Sequence, residues 1–128
     1  MCEPATIVIK AHSQAVKQVR DFVGLVFGGW GLDDHVARVV VSELATNSIK
    51  HGSGEGDSVI VRAYRLDGLP VLEAWDRSDA LPVVREPGPA AESGRGLLLM
   101  ETLVLRWGTR PLAEGGKVVY AVLDPVAV

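Results

Sequence analysis

The strongest constraint on this chain is a change of hydrophobic period along its first half. From Ser13 to about Phe27, the residues Ala15, Val16, Val19, Phe22, Val23 and Val26 recur at spacings of three and four, which is one face of a helix. Ser13 stands where an N-cap belongs, and Gly28, Gly29 and Gly31 end the segment. A second helix is predicted from about His35 to His51, capped by Asp33 or Asp34 and closed by Gly52-Ser53-Gly54. From Ser58 to Arg65 the pattern switches to alternation rich in β-branched residues. Leu66-Asp67-Gly68-Leu69-Pro70 is a turn signal, and Val71 to Asp76 follows as a second strand of a hairpin.

The flanking segments complete the plan. Ala5 to Lys10 is a short β-branched strand, and Leu97 to about Leu105 is a third apolar helix opened by Gly94-Arg95-Gly96. Trp107 to Arg110 and Lys117 to Leu123 read as strands around a loop at Pro111 to Gly116, and the Pro125 tail is expected to fray. Ser78 to Ser93 holds three of the seven prolines and reads as irregular throughout. The order β-α-α-β-β-loop-α-β-β implies an α+β two-layer sandwich, a mixed and mostly antiparallel sheet with its helices on one face.

Composition removes several classes of function. With 128 residues the chain is sized for one domain, spanning 1–128. Thirteen Lys and Arg against sixteen Asp and Glu give a net charge of −3, which argues against a dedicated nucleic-acid binder. The single cysteine, Cys2, cannot form an internal disulfide, and no apolar stretch reaches the ~18 residues of a membrane span. No signal peptide is visible at the start, so a cytoplasmic location is expected.

The second helix carries the chemistry. At about 100° per residue, Glu43, Asn47, Lys50 and His51 share an arc of roughly 100°, and Val36 and Val40 occupy the same arc nearer the N-terminus. An apolar stripe that turns polar in its last turns is the expected wall of a pocket. The neighbouring arc of Ala37, Val41, Leu44, Ala45 and Ser48 is left to pack on the sheet. An Asn oxygen is a neutral hard ligand suited to a Mg²⁺ that bridges phosphates and keeps several waters. A carboxylate one turn earlier can orient or deprotonate an attacking hydroxyl, and a Lys or His one turn later can meet phosphate charge. A solvated helix end, with Lys50 near the negative pole of the dipole, explains the same residues without a ligand. Asp76, at the end of an apolar strand, is either a turn residue or an acceptor that reads a base. Ser93-Gly94-Arg95-Gly96 has the geometry for anion binding before a helix, although glycine is common at helix starts.

Taken in order, these segments resemble the nucleotide-binding boxes of the Bergerat-fold, histidine kinase-like ATPases. The segment Ser42-Glu43-Leu44-Ala45-Thr46-Asn47-Ser48-Ile49-Lys50-His51 resembles the N box. Asp76-Arg77-Ser78-Asp79-Ala80 stands at the first glycine box, and Ser93-Gly94-Arg95-Gly96-Leu97-Leu98-Leu99-Met100 is similar to the second. The short chain with its strand–helix–helix start looks most like the anti-sigma-factor serine kinase branch, in its stand-alone actinobacterial form.

The resemblance implies roles for single residues. Glu43 matches the general base and Asn47 the Mg²⁺ ligand, while Lys50 and His51 fall where the family contacts phosphate or ribose. Asp76 matches the acceptor for the adenine amino group, with Ser78 and Ala80 beside it. Gly94, Arg95 and Gly96, followed by Leu97 and Leu98, match the phosphate-binding turn, and residues 78–93 match a short ATP lid. Two departures stand out. Ser78 and Ala80 replace glycines of the first box, and Lys117 opens the final strand where relatives often carry a threonine that helps hold the aspartate. The implied function is Mg·ATP binding and phosphorylation of a small anti-anti-sigma-type partner. The alternatives are a non-catalytic module that sequesters a sigma factor or other regulator, and a slow ATPase. Contact with nucleic acid or membrane is not expected, and the resemblance leaves a homodimer open, since the branch often forms one. His12, His35 and the three tryptophans, Trp30, Trp75 and Trp107, are expected at the surface and in core packing respectively. Arg20, Arg38 and Arg106 are expected on solvated helix faces.

Overall fold

A computed structural model describes residues 4–52, 57–77 and 100–127. In chain order the elements are β1 (Ala5–Lys10), α1 (Ala15–Gly29), α2 (His35–Asn47), a π-turn (Ser48–Gly52), β2 (Ser58–Leu66), β3 (Leu69–Asp76), β4 (Arg106–Pro111) and β5 (Lys117–Val122). Residues 100–103 are helical, the part of the third predicted helix that lies within the described residues.

The sheet order is β1-β2-β3-β5-β4, and every pairing is antiparallel rather than mixed. Alternation sorts each strand into two faces. Val59, Val61, Ala63, Leu72, Ala74, Val119 and Ala121 face the helices and join Val19, Val23 and Phe27 of α1 with Val40, Val41 and Leu44 of α2 in one core. The expected two-layer α+β sandwich is therefore present, with both helices on one side of the sheet.

Local chemistry explains where the boundaries differ from the sequence reading. The turn between β2 and β3 is tighter than the five residues predicted, because Asp67 (φ 53°) and Gly68 (φ 81°) alone make it and Leu66 pairs with Leu69. Two successive left-handed residues are the turn that matches strand twist, and Asp-Gly is the pair that tolerates it. β3 consequently starts at Leu69. Ser13 does not cap α1, which begins at Ala15 after Gln14 with no side-chain cap. At α2, Asp33 Oδ1 accepts from the His35 N–H at 3.3 Å, while Asp34 pairs with Arg38 at 3.7 Å. The tail does not fray as predicted: the Asp33 N–H donates to the Val126 carbonyl at 2.7 Å, and Leu32 bridges Ala127. Arg106 lies on β4 rather than on a helix.

The second helix departs most. The α-helix stops at Asn47 and the next five residues form a π-turn. Wider turns rotate the chain less per residue, so 100° steps describe the chain only as far as Asn47. Lys50 is exposed.

Candidate functional site

The packing of α2 on β3 fixes the polar end of the helix against the end of a strand. Ala37, Val41, Leu44 and Ala45 are essentially solvent-free, so the helix cannot roll. Val40, on the apolar stretch of the arc that leads to Glu43 and Asn47, is buried as well. Asn47, the last α-helical residue, is buried, and the π-turn that follows touches β3. Ser48 opens that turn with its Oγ fully enclosed and, among the described residues, without a hydrogen-bond partner. An orphaned hydroxyl costs free energy unless something polar reaches it. Its position at the junction of helix and strand fits a polar ligand or water there.

Glu43 sits one turn before Asn47 and is half-buried. Desolvation by this burial raises its carboxyl above the usual range, and the Lys50 charge opposes that only in part. A surface cleft of ≈ 500 Å³ opens beside it, lined also by Arg20, Asp34, His35, Arg38, Val39 and Ser42. Ser42 is occupied locally, its Oγ donating to the Arg38 carbonyl at 2.7 Å. Glu43 thus joins the properties a general base needs: an open approach and a carboxyl with raised proton affinity.

Asp76 ends β3 on the helix side of the sheet with its side chain fully buried. It is not a turn residue. Its register partner on β5 is Lys117, whose ammonium, itself only 3% exposed, donates to Oδ1 at 3.0 Å and to Oδ2 at 3.2 Å. Gly116 lies directly against this pair. At φ +89°, a Cβ there would collide with the Asp76 carbonyl oxygen and come within 3.0 Å of Arg77 Cα. Gly116→Ala is expected to lower unfolding free energy by about 2 kcal/mol in urea titration. Gly115→Ala meets only the backbone strain of φ +95°, since no atom lies within 4 Å, and should cost less.

The opposite face of β3 holds a residue that the sequence reading passed over. Glu73 is 1% exposed although it faces away from the helices. Its Oε2 accepts from Tyr64 Oη at 2.7 Å and from Arg110 at 2.9 Å, its Oε1 accepts from Trp75 Nε1 at 2.8 Å, and Arg62 lies 3.7 Å away. Burial pushes its carboxyl up, but these donors outweigh burial together and hold it below the usual range. Trp75, expected in the core, serves this network, and Arg62 covers its ring at 5.3 Å. Trp30 and Trp107 pack against the core as expected.

Of the residues nominated from sequence, Glu43, Asn47, Lys50 and Asp76 are placed by the structure. Ser78, Ala80, Gly94, Arg95, Gly96, Leu97, Leu98 and the His51 side chain lie outside the described residues, as does the predicted lid at 78–93. Among the described residues, no three His, Cys, Asp or Glu side chains gather as a metal cage. No helix among them is long and apolar enough to cross a membrane.

The family model for the histidine kinase-like ATPase domain matches residues 9–123, nearly the whole chain. The chain belongs to this family. It therefore carries an ATP-binding fold, and the boxes read from the sequence lie inside the matched region. Among solved structures, the crystal structure of the RsbU and RsbW domains of Rv1364c from Mycobacterium tuberculosis is similar, with a TM-score of 0.70 at 22% identity. The match covers 97% of this chain and 33% of that one, and at this identity it speaks for the fold. No protein of curated function matches.

Proposed function

We propose that this histidine kinase-like ATPase domain is a regulatory protein that binds Mg·ATP and phosphorylates a serine of a small protein partner. The observation that carries the reading is the spacing of Glu43 and Asn47, one turn apart on α2, with an open cleft beside Glu43 and a buried carboxylate, Asp76, ending β3, the strand that the turn after Asn47 touches. Resemblance to the anti-sigma-factor serine kinases supplies the class of partner, an anti-anti-sigma-type protein.

The residues fit the ligand. Asn47 would offer its side-chain oxygen to Mg²⁺, which keeps most of its sites for phosphate and water and so needs no acidic cage. Bound there, the metal would neutralise phosphate charge. Asp76 would accept from the base, Gly94, Arg95 and Gly96 would present backbone N–H groups to the phosphates, and Lys50 and His51 would add local positive charge to a chain of net charge −3. Glu43 would take the proton of the partner's serine as its oxygen bonds to the γ-phosphorus and the bond to the ADP oxygen breaks. Catalysis of this kind is mostly positioning and electrostatics.

A titration with Mg·ATP tests the reading. The parent chain is expected to bind, Asn47→Ala to lose the magnesium-dependent part of the affinity, and Asp76→Ala to lose discrimination among bases. If calorimetry shows no heat at millimolar Mg·ATP and Asn47→Ala changes nothing, the nucleotide reading is wrong. A second reading, a module that binds a regulator without turnover, is favoured by the Asp76–Lys117 pair, because it engages the base-reading carboxylate before any nucleotide arrives.

A further inference from the structure

We infer that the outer face of the sheet, the side away from the helices, carries a further binding site, one for a small monocarboxylate with a branched or aromatic apolar body. The inference stands apart from the nucleotide reading, since it rests on β2 to β5 alone.

The strand register lays out the floor of this site. Tyr64, Val71, Val122 and Arg106 are successive partners across β2, β3, β5 and β4. They form one row, about 14 Å from end to end at the usual strand spacing. All four point away from the helices, because their chain neighbours Ala63, Leu72, Ala121 and Trp107 pack into the core. The two central side chains are short and the two outer ones long, which leaves a slot. A cleft of ≈ 350 Å³ occupies this place, and Leu66 and Leu69 extend its apolar lining toward the β2–β3 turn. Concave volume of this size over an apolar floor, with few polar groups around it, suits a small molecule. Toward the other end of the face the apolar lining stops at Arg62 and the Glu73 network, so the occupant is small rather than a protein surface.

The walls of the slot are fixed in advance. Tyr64 Oη donates to Glu73 Oε2 at 2.7 Å, and Arg110 donates to the same oxygen at 2.9 Å. Tyr120 lies over its register partner Gly108, where a Cβ would come within 2.7 Å of the Oη and 2.9 Å of the Cζ. The Arg110 guanidinium covers the Tyr120 ring at 5.7 Å. Glu73 therefore holds one tyrosine directly and the other through Arg110. A buried carboxylate on the outer face is costly to maintain, and positioning these walls gives it a use, since a site works best when its lining is already locked.

Charge selects the ligand. Arg110 is engaged by Glu73, whereas Arg106 is exposed at the end of the row and makes no ion pair among the described residues. Its planar fork matches a carboxylate. Asp67 stands on the rim at the β2–β3 turn and repels a second negative charge, which disfavours phosphates and dicarboxylates. With the carboxylate at Arg106, the apolar body lies over Val122 and Val71 between the tyrosines.

The test follows backbone amide chemical shifts of the whole chain during titration with 3-phenylpropionate. Saturable shifts are expected around Tyr64, Val71, Arg106 and Val122. The neutral amide of the same acid should bind about tenfold more weakly. Arg106→Gln should weaken the acid by about tenfold and bring it level with the amide, the low end for a hydrogen bond to a charged group because Arg106 meets solvent. The same variant should leave Mg·ATP affinity unchanged, so this site and the nucleotide site stand or fall separately. No saturable shift at millimolar probe overturns the inference, as does equal binding of acid and amide. A folded Arg106→Gln that binds the acid like the parent overturns it too. Sedimentation that shows a homodimer dissolved by Leu66→Glu assigns this face to a second copy instead, and the ligand site is then wrong.

Discussion

Glu43→Ala is expected to slow phosphate transfer to the partner's serine by about 10²- to 10⁴-fold, the usual contribution of a positioned general base. Affinity for Mg·ATP should not change, because Glu43 is assigned to the proton and not to the phosphates. The protein should also remain folded. A half-buried carboxylate with a raised pKa destabilises the fold above that pKa, so removing it relieves a cost at neutral pH. In the parent, the penalty is fully present above the folded-state pKa and fades as pH falls toward the unfolded value, ordinarily about 4.3. The transfer rate should run the opposite way. Its acid limb should lie above the range of an ordinary glutamate, since the base must be deprotonated to act. Phosphoserine formed at the parental rate by Glu43→Ala would remove the kinase reading and leave the binding module.

The second large effect belongs to the other face of the sheet. Glu73→Ala is expected to cost about 3 kcal/mol of unfolding free energy, because it strips Tyr64, Trp75 and Arg110 of a shared buried acceptor. Arg110 is half exposed and can turn to water, which keeps the loss at the lower end for a broken buried pair. Against a total stability of roughly 5–15 kcal/mol for a domain, that is a large fraction. The depressed carboxyl sets the pH dependence. Its contribution is complete above the unfolded value of about 4.3 and is lost as pH falls through the lower folded-state value. The acid arm of the parent's stability curve should therefore be steeper than that of Glu73→Ala. Equal melting temperatures for the two across pH 3 to 7 would show the network to be without energetic consequence.

What the sequence makes legible follows from how local each signal is. The hairpin is written in two residues, Asp67 and Gly68, and period-2 alternation on either side sets its register. The α2 motif is legible because the nominated site residues and the packing residues share one helix, and 100° steps separate them as far as Asn47. The π-turn has no such local mark. It arises where the helix end meets β3, so 100° steps stop applying after Asn47, although the Lys50 charge still reaches Glu43. Glu73 was obscured by its apolar neighbours, since a single charge in a strand reads as solvent-facing until Tyr64, Trp75 and Arg110 come together around it. The sequence showed Lys117 as a departure from a threonine. That it closes on Asp76 becomes visible only when β5 is set beside β3.

That pairing also orders events in time. The β2–β3 turn is two residues and the β4–β5 loop is short, so both hairpins can close on the microsecond scale of local structure. Asp76 and Lys117 lie 41 residues apart, one in each hairpin. Their meeting waits for the slower docking of the two halves of the sheet, after the entropy of closing the intervening chain has been lost. The Asp76–Lys117 pair is thus assembled late in folding, and a chain halted with only its hairpins formed would have its strands without the ion pair that joins their ends.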